Sequence, residues 1–266
     1  MRGKTQLRVA FTIIYNGLHH LKNRNFAEFM LDTFNHWIVI EGHAKPGGST
    51  SWCKNLNIPC RSTDGTHEEL LGLSSLHNNL HYYSKGGYWE SKDEMVTKAI
   101  DILSGITNEC WLWQVDCDEV WTKENILNNE RCLASRRHNC GRVQFRHIVG
   151  KTEGGVMVAR GRWGSGYVNR LWKWKGQDFV QHEPPEIEGQ MAVNLPYRFD
   201  HYSMYFEQDV KFKSKYYKGY ENLYENWKKM HEGTKFPFRG SHLTPHAKGS
   251  LIHELRWKEE GVLLRD

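Results

Sequence analysis

A chain of 266 residues, 39% hydrophobic and 25% charged, is long enough to bury a substantial core and has no tract of the low-hydrophobicity kind that stays unfolded. No apolar run approaches the roughly 20 residues that span a bilayer. The N-terminal MRGKTQLRVAFTIIYNG has too short an apolar core, and no small-residue cleavage pattern, for a signal peptide, so the chain reads as soluble, unprocessed and cytoplasmic, without a membrane span. A net charge of +5 suits an anionic ligand such as a phosphate ester and does not demand a nucleic-acid surface.

In chain order, LRVAFTIIYNG (7 to 17) is a β-branched run closed by Asn16-Gly17, the pattern of a buried strand ending in a turn. FAEFMLDTF (26 to 34) has helical spacing with Asn25 as its cap, and HWIVIEG (36 to 42) returns to strand. Strand, helix, strand in this short space predicts a βαβ unit and a parallel sheet. The stretch from 53 to 90 reads as irregular, with one short strand near 79 to 83. SKDEMVTKAIDIL (91 to 103) predicts a helix with a Ser cap, acids in the first turn and one apolar face. It feeds into WLWQVDCDEVW (111 to 121), an apolar strand with Asp116, Asp118 and Glu119 at its end. Beyond it come a helix or turn around 122 to 137, a strand at 141 to 150, and the basic and aromatic GRWGSGYVNRLWKWKG (161 to 176). QHEPPEI (181 to 187) reads as a proline turn, YRFDHYSMY (197 to 205) as extended, and 207 to 231 as helix interrupted near Gly219. The tail from 233 reads as loop and short helix. Six cysteines (Cys53, Cys60, Cys110, Cys117, Cys132 and Cys140) form no CxxC pair, which favours reduced thiols, with a Cys53 to Cys60 disulfide as the alternative.

Ligands of open parallel sheets bind beyond the carboxyl ends of the strands. Asp116 and Asp118 stand at such an end. If the chain stays extended there, side chains at i and i+2 face the same way, and two hard carboxylates can hold Mn²⁺ or Mg²⁺ bridging phosphate oxygens. The competing reading is that these acids only cap the following helix near WTKENIL.

The βαβ unit, and the helix running into an apolar strand that ends QVDCDEVW, resemble the nucleotide-sugar half of GT-A-type glycosyltransferases with their D-x-D signature. Family 2-like members, including those of large DNA viruses, are the nearest in pattern, over roughly residues 7 to 205. The resemblance implies an α/β, GT-A-like (Rossmann-type), mostly parallel sheet flanked by helices. It implies a catalytic domain over 1–205, divided into a nucleotide-sugar half (1–120) and an acceptor half (121–205); residues 206–266, outside the resemblance, read as a helical C-terminal extension. It implies that Tyr15, Asn16 and Glu41 line the nucleotide pocket, Glu41 standing where Asp is more usual, and that Lys92 contacts the nucleotide. Asp118 becomes the direct metal ligand and Asp116 a ribose or second metal contact. A downstream histidine completes such sites, here His201, with His182 as competitor.

The acceptor side needs flat apolar surfaces and a base for the attacking hydroxyl. Trp163, Tyr167, Trp172 and Trp174 supply surfaces, with Arg162 and Arg170 near the diphosphate, although the alternation of Trp172 and Trp174 also suits a core-facing strand. Glu183, on a turn stiffened by Pro184 and Pro185, is the candidate base, with Asp178 and Glu186 as alternatives. The expected activity is transfer of a sugar from a nucleoside diphosphate sugar, UDP-sugar favoured, to a saccharide hydroxyl. The alternatives from other classes are a metal-dependent nuclease or phosphotransferase, which the acids, histidines and +5 charge would also serve, and a non-catalytic carbohydrate-binding protein, which the many Trp and Tyr residues would suit.

Overall fold

The computed structural model describes residues 6–23, 25–45, 53–54, 56–161, 163–233 and 235–256. Strand β1 (Arg8–Ile14) pairs in parallel with β2 (His36–Glu41) on one side and with β4 (Cys110–Gln114) on the other, and β2 pairs in parallel with β3 (Leu80–Ser84). The central strands β2, β1 and β4 are largely buried on both faces, which is why they read as nearly continuous apolar runs rather than alternating ones, whereas β3 at the edge is only partly buried. Ala10, Ile14, Trp37 and Val39 face one layer with helices α2 (Phe26–Thr33), α3 (Thr66–Leu76) and α5 (Lys123–Ala134). Val9, Phe11, Ile38 and Ile40 face the other, against α4 (Lys92–Ile106). A short helix α1 (Leu18–Asn23) follows β1 directly.

Past β4 the sheet turns mixed. β8 (Tyr167–Trp174) runs antiparallel to β4, β6 (Cys140–Lys151) antiparallel to β8, and β11 (Ala192–His201) parallel to β6. The two-residue strand β5 (Glu119–Val120) pairs antiparallel with the end of β11. The expected α/β class with flanking helices is therefore observed. β9 (Phe179–His182) and β10 (Pro185–Ile187) form a separate hairpin whose Phe179 and Ile187 join the core beneath α4.

Several local expectations are corrected. Asn25 does not cap α2: it adopts left-handed backbone (φ 48°) and its side chain makes no capping bond. Ser91 does cap α4, accepting from the Glu94 N–H at 3.1 Å. The 53 to 90 region contains α3, which hides from the sequence because only Thr66 and Leu70 along it are buried. Trp172 and Trp174 are fully buried in the α4-facing core and take no part in an acceptor surface.

After His201 the chain forms α6 (Glu207–Tyr216) and α7 (Leu223–His231), separated around Gly219 (φ 80°) as its sequence suggests. The tail is not only loop and helix. Strand β13 (Leu251–Arg256) pairs antiparallel with β7 (Gly155–Arg160), and β12 (Phe238–Arg239) pairs with β13. Only Ile252 and Leu255 of β13 are buried, so it lacks the period-two pattern that betrays a strand. All six cysteines carry free thiols. Among the described residues no helix is long and apolar enough to cross a membrane.

Candidate active site at the carboxyl end of the parallel strands

The β4 backbone continues alongside β1 through Val115, whose N–H donates to the Phe11 carbonyl at 3.0 Å, while the Thr12 hydroxyl donates to the Val115 carbonyl at 2.7 Å. The chain then turns, with the Glu119 N–H donating to the Asp116 carbonyl at 3.0 Å. This corrects the extended geometry expected for the acids. Asp116 and Asp118 are not presented side by side, and they make separate contacts. Nor do they cap α5, because Thr122 does, its hydroxyl accepting from the Asn125 N–H at 3.0 Å.

Asp116 Oδ2 accepts from Arg170 Nη2 at 2.7 Å. The same guanidinium reaches Glu119 Oε1 through Nε at 2.8 Å, and Trp121 Nε1 donates to Glu119 Oε2 at 3.0 Å. Arg170 comes from the middle of β8, so the ion group ties the β4–β5 turn to the next strand of the sheet. Burial pushes the Glu119 carboxyl up, against the pull of Arg170, and the two acids beside Arg170 outweigh burial to hold its guanidinium firmly charged.

Asp118 has a different set of partners. Its Oδ2 lies 3.3 Å from His201 Nε2 and 3.5 Å from Lys213 Nζ. The β5–β11 pairing places His201 opposite Glu119, and the Tyr202 N–H donates to the Asp118 carbonyl at 2.7 Å, so backbone register fixes the contact. Burial alone would raise the Asp118 carboxyl. The charges of His201 and Lys213 override it and hold this acid well below the ordinary carboxylate range. Behind His201, the His147 ring stacks at 5.3 Å between centroids; the Ser203 hydroxyl donates to its Nε2 at 2.7 Å, and its Nδ1–H faces the Trp163 carbonyl at 3.4 Å. Burial lowers the His147 pKa to about 3, so this partner is a neutral ring.

The β9–β10 turn brings Glu183 to the same end. Although much of the residue is open to solvent, partial burial raises its carboxyl, with Lys92 and Arg170 opposing and Asp116 adding to the rise. Lys92 opens α4 directly after the Ser91 cap, and its charge acts on His43, His182 and Glu183. The His182 N–H donates to Asp93 Oδ1 at 2.6 Å, and burial lowers the ring to about 4. His182 therefore belongs with Lys92 and Glu183, while His201 is the histidine beside Asp118. Glu186 pairs across its own hairpin with Gln181 at 3.4 Å.

The expected nucleotide-side residues divide. The Tyr15 ring lies tilted against those of His43 (5.1 Å between centroids) and Phe212 (6.1 Å), and its hydroxyl donates to the Pro59 carbonyl at 2.9 Å. Asn16, in left-handed backbone, accepts from the Thr63 N–H at 2.8 Å. Glu41 is completely buried and spends both oxygens inside the protein, on the Ser62 N–H (2.7 Å) and the Ser84 hydroxyl (2.7 Å). Glu41 and Asn16 thus fasten the 60–64 loop, and Glu41 is not a contact for a ligand. Trp163 is partly buried against Met157, Ile252 and their neighbours, Tyr167 is exposed, and Arg162 lies outside the described residues.

Lys213 and Glu119 are the residues that sequence reasoning missed. Lys213 is one of several lysines in DVKFKSKYYK, and nothing in that spacing marks the one that reaches Asp118. Glu119 stands inside the quoted acidic stretch, but its partner Arg170 is 51 residues away and only the strand pairing reveals it.

No family model and no curated protein matches the chain. Among solved structures it is similar to S. aureus TarS 1-349, with a TM-score of 0.33 and 14% identity, over 57% of this chain and 37% of that one. It is also similar to 4-diphosphocytidyl-2C-methyl-D-erythritol synthase, with a TM-score of 0.35 and 9% identity, over 64% and 74%. The chain spans little more than a third of the length of the TarS structure, and at these scores neither likeness bears on activity.

Proposed function

We propose that the protein is a glycosyltransferase of GT-A type that moves a sugar from a nucleoside diphosphate donor, UDP-sugar favoured, to a saccharide hydroxyl, with Mn²⁺ or Mg²⁺. The observation that carries this reading is the 3.3 Å approach of His201 Nε2 to Asp118 Oδ2 at the carboxyl end of the parallel strands. A carboxylate and an imidazole at that separation suit a single divalent cation as a pair, leaving further positions for diphosphate oxygens and water. Asp116 fits less directly, because Oδ2 is engaged by Arg170 and Oδ1 has only the Gln114 amide at 3.4 Å. Asp116 then suits a ribose hydroxyl better than the cation. A cation held by Asp118 and His201 would offset charge on the departing diphosphate.

In this reading Arg170 and Lys213 add positive charge around the phosphates, and Lys92 with Tyr15 borders the nucleotide. Glu183 accepts the acceptor proton, its raised carboxyl being a stronger base than a free glutamate. Residues 1–205 form the catalytic domain, and the extension over 206–266 contributes Lys213 to it.

The test is incubation with a panel of nucleotide sugars and Mn²⁺, measuring released nucleoside diphosphate with and without oligosaccharide acceptors. Slow metal-dependent hydrolysis of one donor is the expected result. If no donor is turned over and no nucleoside diphosphate raises the melting temperature, while a plain oligosaccharide does, the protein is a carbohydrate-binding module instead.

A further inference from the structure

A second group of metal-type donors lies outside the Asp118–His201 pair. His19 Nε2 lies 3.0 Å from Asp209 Oδ1, and His20 Nε2 lies 3.0 Å from Asp209 Oδ2. One donor atom from each residue falls within 4.8 Å of the others, and among the described residues this is the cluster of three or more His, Cys, Asp or Glu side chains that meets that condition. The geometry is not what a helix gives by default. Adjacent residues on a helix point about 100° apart. Here both rings of α1 turn to the same carboxylate, with centroids 4.0 Å apart, and both meet the Phe206 ring edge-on at 5.0 and 5.3 Å.

We infer that His19, His20 and Asp209 form a transition-metal site, of the class that takes Zn²⁺, joining α1 to the first turn of α6. Two imidazole nitrogens and one carboxylate oxygen are a borderline donor set suited to Zn²⁺ and Co²⁺, with a fourth position left to water. The side chains are 8%, 3% and 16% exposed, which shelters the ligands and leaves Asp209 as the face open to solvent. Beyond the cluster the fixed charges are of opposite sign, Asp118 acting on His20 and Lys213 on Asp209, so neither repels nor recruits a cation alone.

Neither His19 Nδ1 nor His20 Nδ1 has a protein hydrogen-bond partner. Structural zinc sites usually brace each histidine from behind, and their loss weakens binding about 10- to 100-fold. The expected affinity is therefore modest, in the micromolar range, with exchangeable metal. Lys213 sits one helical turn beyond Asp209 and touches Asp118, so occupancy would steady the helix that supplies Lys213 to the candidate active site. The metal site itself stands on its own geometry and does not depend on the transferase reading.

The experiment uses the full chain after chelator treatment, titrated with Zn²⁺ by calorimetry and with Co²⁺ by visible absorption, without nucleotide. One equivalent of Co²⁺ should give the strong d–d bands of four-coordinate nitrogen and oxygen ligation with no thiolate charge-transfer band. Zn²⁺ should raise the melting temperature. Asp118→Asn and His201→Ala should keep this binding, whereas His20→Ala and Asp209→Asn should weaken it by at least about tenfold. A thiolate band, absence of binding, or unchanged binding in Asp209→Asn would overturn the assignment. If His20→Ala does not fold, the near-isosteric Asp209→Asn and the wild-type Co²⁺ spectrum decide. Diphosphate release is scored separately, so loss of one activity does not mimic loss of the other.

Discussion

His201 Nε2 stands 3.3 Å from Asp118 Oδ2 because a two-residue strand, β5, pairs with the last two residues of β11. The acid comes from the turn after a parallel strand and the histidine from a strand that reaches the same end through the mixed half of the sheet. Asp118→Asn is expected to lower diphosphate release from a nucleotide sugar by at least about a hundredfold, since an amide is a poor ligand for a hard cation. The fold should survive, because the backbone bond from Tyr202 to the residue 118 carbonyl is untouched. Circular dichroism and turnover measured on one preparation check both halves of the statement.

Glu183 tests the acceptor half. Replacement by Gln keeps the shape of the β9–β10 turn and removes only the proton acceptor, so transfer should fall by roughly 10²- to 10⁴-fold while donor binding stays within about twofold. Survival of transfer would move the base to another acid or make the reaction a retaining one.

Arg170 holds two acids at once. Arg170→Met leaves Glu119 buried without its cation and frees Asp116, and breaking a buried pair from one side costs about 3–5 kcal/mol. Urea denaturation measures this directly. A loss below about 1 kcal/mol would show that Glu119 is protonated and content with the hydrogen bonds from Trp121 Nε1 and the Asp116 N–H.

How much of this was legible beforehand follows from where the information sits. The parallel block was readable because strands buried on both faces, such as Val9–Ile14 and Trp37–Ile40, are apolar but for Thr12, and because Ser91 and the Met95–Leu103 face announce α4. Asp118 and His201 were both singled out as metal ligands, but their contact depends on register between β5 and β11, which no local pattern encodes. Glu41 was misplaced for the opposite reason. Its position after a parallel strand suits a ligand contact, yet the 60–64 loop, irregular in sequence, takes one of its oxygens through the Ser62 N–H while Ser84 at the end of β3 takes the other. β13 was invisible because a strand burying only Ile252 and Leu255 has a helix-like spacing of apolar residues.

A pH effect is expected far from the candidate site. His36 Nδ1 and His81 Nε2 lie 3.0 Å apart where β2 meets β3, and burial lowers both rings below the ordinary histidine value of 6.5, His36 lowering His81 further. The folded state then binds fewer protons than the unfolded chain below that value, so this pair contributes stability above about pH 6.5 that is lost as pH falls. The melting temperature should drop on acidification through this range, and His81→Gln should flatten the drop. An unchanged profile in the variant would show that the pair does not set it.

Lys213 and His201 bracket Asp118, and their removal should act in opposite directions on a divalent cation. The Lys213 ammonium lies 3.5 Å from Asp118 Oδ2, where it neutralises the charge a cation would use. At separations near 4 Å and a protein-like dielectric a pair of unit charges interacts by about 4 kcal/mol before screening, and solvent reduces that substantially. Lys213→Met should therefore tighten Mn²⁺ binding, by about tenfold, even if turnover suffers from the lost positive charge near the phosphates. His201→Ala removes a donor and should weaken Mn²⁺ binding by a similar factor. Calorimetric titration of Mn²⁺ into both variants, with His19, His20 and Asp209 intact, reads the two signs directly. If both variants weaken binding, Lys213 orients Asp118 rather than competing for it. If neither changes it, the cation is held elsewhere and the 3.3 Å contact is an ion pair of the fold alone.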